Sequence, residues 1–252
     1  QSLGLLQPHI PEFADRVIVE TNPENLAGHE VVFLALPHTK SAEIAEALPA
    51  HTMIIDCGAD FRLRDADAWE SYYQTAHAGT WPYGMPELTL ASGGKLRQEL
   101  REVRRLSIPG CNVTAVSLAL APALTAGLIE AEDIVSVLSV GTSGAGKASN
   151  IDLLAAEVLG SARAYAVGGV HRHTPEIEQN LALAAGKPVT VSMTPVLVPM
   201  SRGILAVNTA KPSSRFSLEY LREVYATAYG EEAFVQVLPE GQLPKTASVL
   251  GS

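Results

Sequence analysis

The amino-acid sequence predicts an α/β fold: a doubly wound sheet of parallel strands, followed by an α+β part built on a largely antiparallel or mixed sheet. Three observations carry this. Residues 16–20, 31–36 and 53–57 are near-continuous apolar runs, as expected of parallel strands covered on both faces. A helical pattern at 41–48 separates the last two, giving the strand–helix alternation of a doubly wound sheet. Beyond residue 188 the pattern changes: 189–193, 196–198 and 203–210 crowd together, more like antiparallel neighbours than βαβ units.

The remaining elements follow from the same signals. Residues 107–109 read as a short strand that ends at Pro109-Gly110 and feeds a long apolar helical pattern over 113–128. Residues 134–140 form a strong strand ending in Gly141-Thr-Ser-Gly-Ala-Gly-Lys147, and a helix is expected over 151–159. Thr174 is a candidate N-cap, with Pro175 at the first helical position and Glu176 in the first turn of a helix running to Ala185. An amphipathic helix over 217–229 and a strand over 234–238 come last. The change of pattern places a domain boundary at Cys111, with residues 1–110 on one side and 111–252 on the other.

Composition narrows the function classes. A hydrophobic fraction of 47% with 18% charged residues describes a globular protein with a sizeable core. The 27 acidic against 18 basic residues, net charge −9, argue against a nucleic-acid surface. No apolar run reaches the roughly 20 residues of a membrane span, and residues 1–11 lack the basic and apolar regions of a secretory signal. Two cysteines make no disulfide framework, which points to a reducing, cytoplasmic setting.

Cys111 is the leading chemical candidate. It sits in Leu106-Ser-Ile-Pro-Gly-Cys-Asn-Val-Thr114, at a strand-to-helix turn where unpaired N–H groups and the helix dipole favour a thiolate. A small apolar residue packed in a helix is the competing reading. His171-Arg-His173 is the second candidate: on an extended segment both imidazoles share one face and Arg172 takes the other. A zinc site would need a further Cys or acidic ligand set that the sequence does not offer, so no metal is expected. The glycine run at 141–147 is neither a Walker A loop nor G-x-G-x-x-G, yet its place after a strand suits backbone contact with phosphate or carboxamide.

Eight runs in order resemble the N-acetyl-gamma-glutamyl-phosphate reductase family of arginine biosynthesis, related to aspartate-semialdehyde dehydrogenase. They are Phe33-Leu-Ala-Leu-Pro-His38, Asp56-Cys-Gly-Ala-Asp-Phe-Arg62, Tyr83-Gly-Met-Pro-Glu87, Pro109-Gly-Cys-Asn-Val-Thr-Ala115, Gly141-Thr-Ser-Gly-Ala-Gly-Lys147, His171-Arg-His-Thr-Pro-Glu-Ile177, Val198-Pro-Met-Ser-Arg-Gly203 and Pro244-Lys-Thr246.

The resemblance implies an NADP(H)-dependent reduction of an acyl phosphate to an aldehyde through a thioacyl enzyme on Cys111, with His173, or else His171, as acid/base. It implies substrate contacts from Arg62, Arg202, Asn112 and Glu176, with Arg64 and Arg172 as lesser arginine candidates. Cofactor contacts are implied from Pro37, His38, Ser143, Gly144 and Ala145. It further implies a Rossmann-like nucleotide-binding domain over 1–110, a catalytic and dimerisation domain over 111–252, and a homo-oligomer, dimer or tetramer. Cys57 stands where such proteins usually carry serine, and is expected to be packed near the cofactor. The strand, glycine loop and helix that open the family pattern have no counterpart before Val31, and the pattern continues past residue 252, so a trimmed chain is expected. Two other classes fit Cys111: a cysteine acyltransferase or hydrolase without nicotinamide, and a non-catalytic protein that kept the fold.

Overall fold

The computed structural model describes residues 1–146 and 150–251; Lys147 of the glycine run lies outside them. Two short helices, α1 (Leu3–Leu6) and α2 (Pro23–Leu26), lead into a parallel sheet of β1 (Val31–Leu34), β2 (Met53–Asp56) and β3 (Arg105–Ser107), in that spatial order. Helix α3 (Ser41–Ala47) connects β1 to β2, and α4 (Ala66–Tyr73) follows β2. Val32, Leu34 and Ile54 pack with Ala45, Leu48 and Phe61, while Val31 and Phe33 stay exposed. Among the described residues, β1 is therefore covered on one face rather than on the two that its apolar run predicted.

The second half holds α5 (Cys111–Thr125), β4 (Ile134–Val140), α6 (Ala155–Val158), β5 (Arg163–Ala164), α7 (Thr174–Ala185), β6 (Val191–Leu197), β7 (Ile204–Thr209) and α8 (Leu218–Tyr229). Its sheet runs β5-β6-β4-β7 and is mixed: β4 pairs parallel with β6 and antiparallel with β7. The last strands are thus not antiparallel neighbours of each other; they flank β4. The runs 189–193 and 196–198 fuse into the single strand β6, with Pro195 inside it accepting from the Tyr165 N–H. Val113, Val116, Leu120 and Leu124 of α5 and Ile177 and Leu181 of α7 bury against Ile134 and Leu138 of β4. Each such side chain contributes roughly 1.5–3 kcal/mol of apolar burial. This core fixes the starts of α5 and α7 relative to one another.

Four further expectations are corrected. Residues 16–20 form no strand: Val17 bridges Ser2, and the segment hydrogen-bonds back onto residues 1–4 in a small clasp. The helix expected over 151–159 breaks at Leu154, whose extended backbone separates a 3-10 turn from α6, because only Val158 of this stretch is buried to anchor a helix face. Residues 234–238 have no strand partner among the described residues, and Phe234 is 92% exposed. Thr174 is not the cap of α7 but its first residue; His173 occupies the cap position, and the Thr174 hydroxyl is buried without a partner among the described residues. No helix among the described residues is long and apolar enough to cross a membrane.

Candidate active site

The run Asp56–Arg62 braces the elements behind the site. Asp56, buried at the end of β2, accepts from Ser41 Oγ (2.7 Å) and the Gly58 N–H (2.9 Å); burial pushes its carboxyl above the usual range against those bonds. Asp60 reaches across to the start of α3 and accepts from the N–H groups of Thr39, Ser41 and Ala42. A carboxylate of the chain itself thus satisfies that helix terminus. Pro37 and His38 stand exposed on the loop after β1, and the helix end beyond them is taken by Asp60.

Cys111 opens α5, with Gly110 as its cap residue, and its side chain is exposed. The thiol borders a cavity of about 490 Å³ together with Asn112, His38, His171, Arg172, His173, Gly144 and Ala145. His171–Arg172–His173 is a turn, not an extended segment, so the expected alternation fails and all three residues reach this cavity. The two imidazole centroids lie 4.8 Å apart. The His173 N–H donates to His171 Nδ1 (3.0 Å), which places the proton of neutral His171 on Nε2.

Electrostatics keep these imidazoles neutral. Burial, aided by Arg172, pushes His171 down to about 4. Burial and then the charges of His171, Arg62 and His38 push His173 down to about 3. His38 is lowered by burial and by Arg62 and Arg172. Among the described residues, His173 Nδ1 and Asn112 Oδ1 are buried with no protein partner, the state in which a polar atom awaits a ligand or water.

The turn carrying the histidines is docked on α4. Arg172 lies 5.1 Å from the Tyr73 ring centroid, His38 meets the same ring edge-on at 5.8 Å, and Tyr72 Oη donates to the Gly169 carbonyl (2.9 Å). The first half of the chain thereby holds the imidazoles of the second.

Several expected site residues lie elsewhere. Arg62 and Glu176 do not border the cavity: they are 4% and 1% exposed and pair with each other at 3.4 Å, which does not fit a substrate contact. Arg64 is exposed, its N–H on Gln179. Arg202 is exposed on the loop whose backbone backs Gly141, where a Cβ would stand 2.9 Å from Arg202. Ser143 and Pro37 are exposed beside the cavity's bordering residues rather than among them. Cys57 is exposed, not packed, and partial desolvation, with the Asp56 charge, raises its pKa away from a reactive thiolate. Among the described residues, no group of three or more His, Cys, Asp or Glu is placed to hold a metal ion.

Sequence reasoning missed Tyr165, Arg163 and Asp152, which also line the cavity. Arg163 pairs there with Asp152, and the Tyr165 ring lies 5.8 Å from His171. In sequence Arg163 and Tyr165 sit in a glycine-marked stretch with no periodic signal, and pairing of β5 with β6 brings them to the site; Asp152 lies in the 3-10 turn before α6.

Residues 1–92 match the family model described as semialdehyde dehydrogenase, NAD binding domain, and residues 111–252 the one described as semialdehyde dehydrogenase, dimerisation domain. N-acetyl-gamma-glutamyl-phosphate reductases of Renibacterium salmoninarum and Streptomyces avermitilis are each 56% identical, over 99% and 100% of this chain and 72% of their own lengths. Among solved structures, aspartate semialdehyde dehydrogenase II from Vibrio cholerae is similar in fold (TM-score 0.59, 14% identity), covering 86% of this chain and 64% of that one.

Proposed function

The chain belongs to the N-acetyl-gamma-glutamyl-phosphate reductase family, and from that premise we propose how its residues carry the reduction of N-acetyl-gamma-glutamyl phosphate to N-acetyl-glutamate 5-semialdehyde and phosphate. The observation behind the roles is that Cys111, His171, His173 and His38 border one cavity.

Cys111 attacks the acyl carbonyl. The C–S bond forms, the C–O bond to phosphate breaks, and a thioester on Cys111 remains. His173, neutral at pH 7, takes the thiol proton and passes it to the departing phosphate oxygen. His171 presents its Nε2 proton to the substrate, because its Nδ1 already accepts the His173 N–H. NADPH, when bound, supplies the hydride that reduces the thioester carbonyl. The first-turn N–H groups of α5 hold the resulting oxyanion. Breaking the C–S bond then releases the aldehyde and regenerates the Cys111 thiolate, which regains its proton from solvent.

The cofactor fits the residues present. His38, Gly144 and Ala145 border the cavity that Cys111 enters, and we assign them, with Pro37 and Ser143 beside them, to the nicotinamide side. Phosphate and carboxylate groups of the substrate need cations with a reaching fork. Arg172 and Arg163 border the cavity, Asn112 adds an amide, and Arg202 remains a candidate from the adjoining loop. Residues 1–110 serve as the remainder of the nucleotide-binding domain and 111–252 as the catalytic one.

Val135, Val137 and Val207 lie exposed on neighbouring strands of the second sheet, Val137 paired with Val207. This apolar face supports a dimer of two copies. The two free cysteines suit a reducing cytoplasm.

The test is the reverse reaction: aldehyde, phosphate and NADP mixed with the protein, following nicotinamide absorbance, with Cys111→Ala as control. Phosphate-dependent NADPH formation that vanishes in the variant supports the reading. Thioester or phosphate turnover without any absorbance change overturns it.

A further inference from the structure

Glu176 is buried at the meeting point of two helix starts. It lies in the first turn of α7, the helix that His173 caps, and its side chain faces the turn that begins α5. Its Oε1 accepts from the Gly110 N–H (3.0 Å) and Tyr83 Oη (2.6 Å), and its Oε2 from Arg62 (3.4 Å). Tyr83 is held in turn by Asn180 Nδ2 (3.0 Å), and burial beside Glu176 keeps its phenol protonated, as a donor. Arg62 also donates to the Cys57 carbonyl (2.9 Å), tying the group to the end of β2.

Gly110 immediately precedes the thiol, and Glu176 stands three residues after His173. The Glu176–Gly110 bond therefore joins the helix that carries Cys111 to the helix that carries His173. Two helix N-termini and a guanidinium converge there, and one carboxylate balances the positive ends. Among the described residues, three protein donors already face the Glu176 carboxylate, at a residue only 1% exposed.

We propose that Glu176 is a positioning residue, setting the register of Cys111 against His173 through the Gly110 N–H, and that Tyr83 and Arg62 hold its carboxylate in place for that task. This rests on the proposed roles of Cys111 and His173, and it replaces the substrate role that the sequence implied for Glu176 and Arg62.

The experiment compares Glu176→Ala, Glu176→Gln and Tyr83→Phe in the full chain, with backbone amide exchange at Gly110 and steady-state kinetics. Glutamine keeps an acceptor for the Gly110 N–H but no charge. With Glu176→Ala, Gly110 should exchange at least about tenfold faster. Its kcat should fall roughly 30- to 100-fold while KM for the acyl phosphate stays within about threefold. Glu176→Gln should recover most of both losses, and Tyr83→Phe should show a smaller fall in kcat with the same constancy of KM. A KM rise with unchanged kcat in the glutamine variant, or Gly110 protection unaltered in the alanine variant, overturns the proposal. If the alanine variant does not fold, the glutamine and phenylalanine variants decide by the same split of kcat against KM. Gly110 exchange does not depend on turnover, so an inactive wild type would reject the proposed function and leave this test standing.

Discussion

The His173 ring occupies the space where any side chain on Gly110 would go: a Cβ there would stand 2.5 Å from His173 Nε2. Gly110 has φ −66°, which every residue adopts, so glycine is demanded by this contact and not by the backbone. Gly110→Ala should push the imidazole away from Cys111 and lower kcat by about tenfold or more, with a stability loss of about 1–3 kcal/mol from overpacking. Steady-state kinetics with a urea unfolding curve checks both. Unchanged kcat would show that the ring does not need its present place.

The pH dependence follows from the neutral histidines. His173 is pushed down to about 3 and His171 to about 4, by burial first and by neighbouring positive charge second. The acid limb of kcat/KM should therefore fall well below the ordinary histidine value of about 6.5. For stability, the unfolded chain binds protons that the folded chain refuses. The contribution is complete above about pH 6.5 and is lost as the pH falls towards 4 and then 3. Urea titrations across that window should show lower stability at the acid end; a rate profile breaking near 6.5 would contradict the burial of His173.

Arginines should separate by place. Arg172→Ala, at the cavity, should raise KM for the acyl phosphate by roughly tenfold, as loss of a charged hydrogen bond does. Arg62→Ala, buried on Glu176, should instead destabilise the fold by about 3–5 kcal/mol. Thermal unfolding and KM measured on both variants distinguish them, and the reverse pattern would return Arg62 to the substrate.

The exposed sheet face makes a separate prediction. Val137→Lys places a charge beside Val207, its partner across the strands, and should dissociate a dimer without unfolding the protomer. Sedimentation velocity before and after the change reads the outcome; an unaltered assembly would move the interface elsewhere.

The strands and helices around the site were legible in sequence because their signals are local. Ile134–Val140 matches its apolar run to the residue, and Ser217 caps α8 through the Tyr220 N–H. Cys111 was found because proline, glycine and an apolar helix mark its turn. Burial and partnership were not legible. Arg62 and Glu176 are 114 residues apart, and the packing of α7 against the loop after β2 turns them from apparent substrate ligands into a buried pair. Tyr165 and Arg163 reach the cavity through pairing of β5, a strand of two residues that leaves no periodic trace. The apolar run at 234–238 shows the converse: a strand-like pattern forms no strand without a neighbour to take its backbone bonds.

The most direct measurement is the covalent state of Cys111 after mixing with N-acetyl-gamma-glutamyl phosphate in the absence of NADPH. Mass spectrometry should find the N-acetyl-glutamyl group on the peptide containing Cys111, with about one phosphate released per chain in a burst, and Cys111→Ala should show neither. Phosphate release without a label on Cys111, or a label on Cys57 instead, would contradict the thioacyl route.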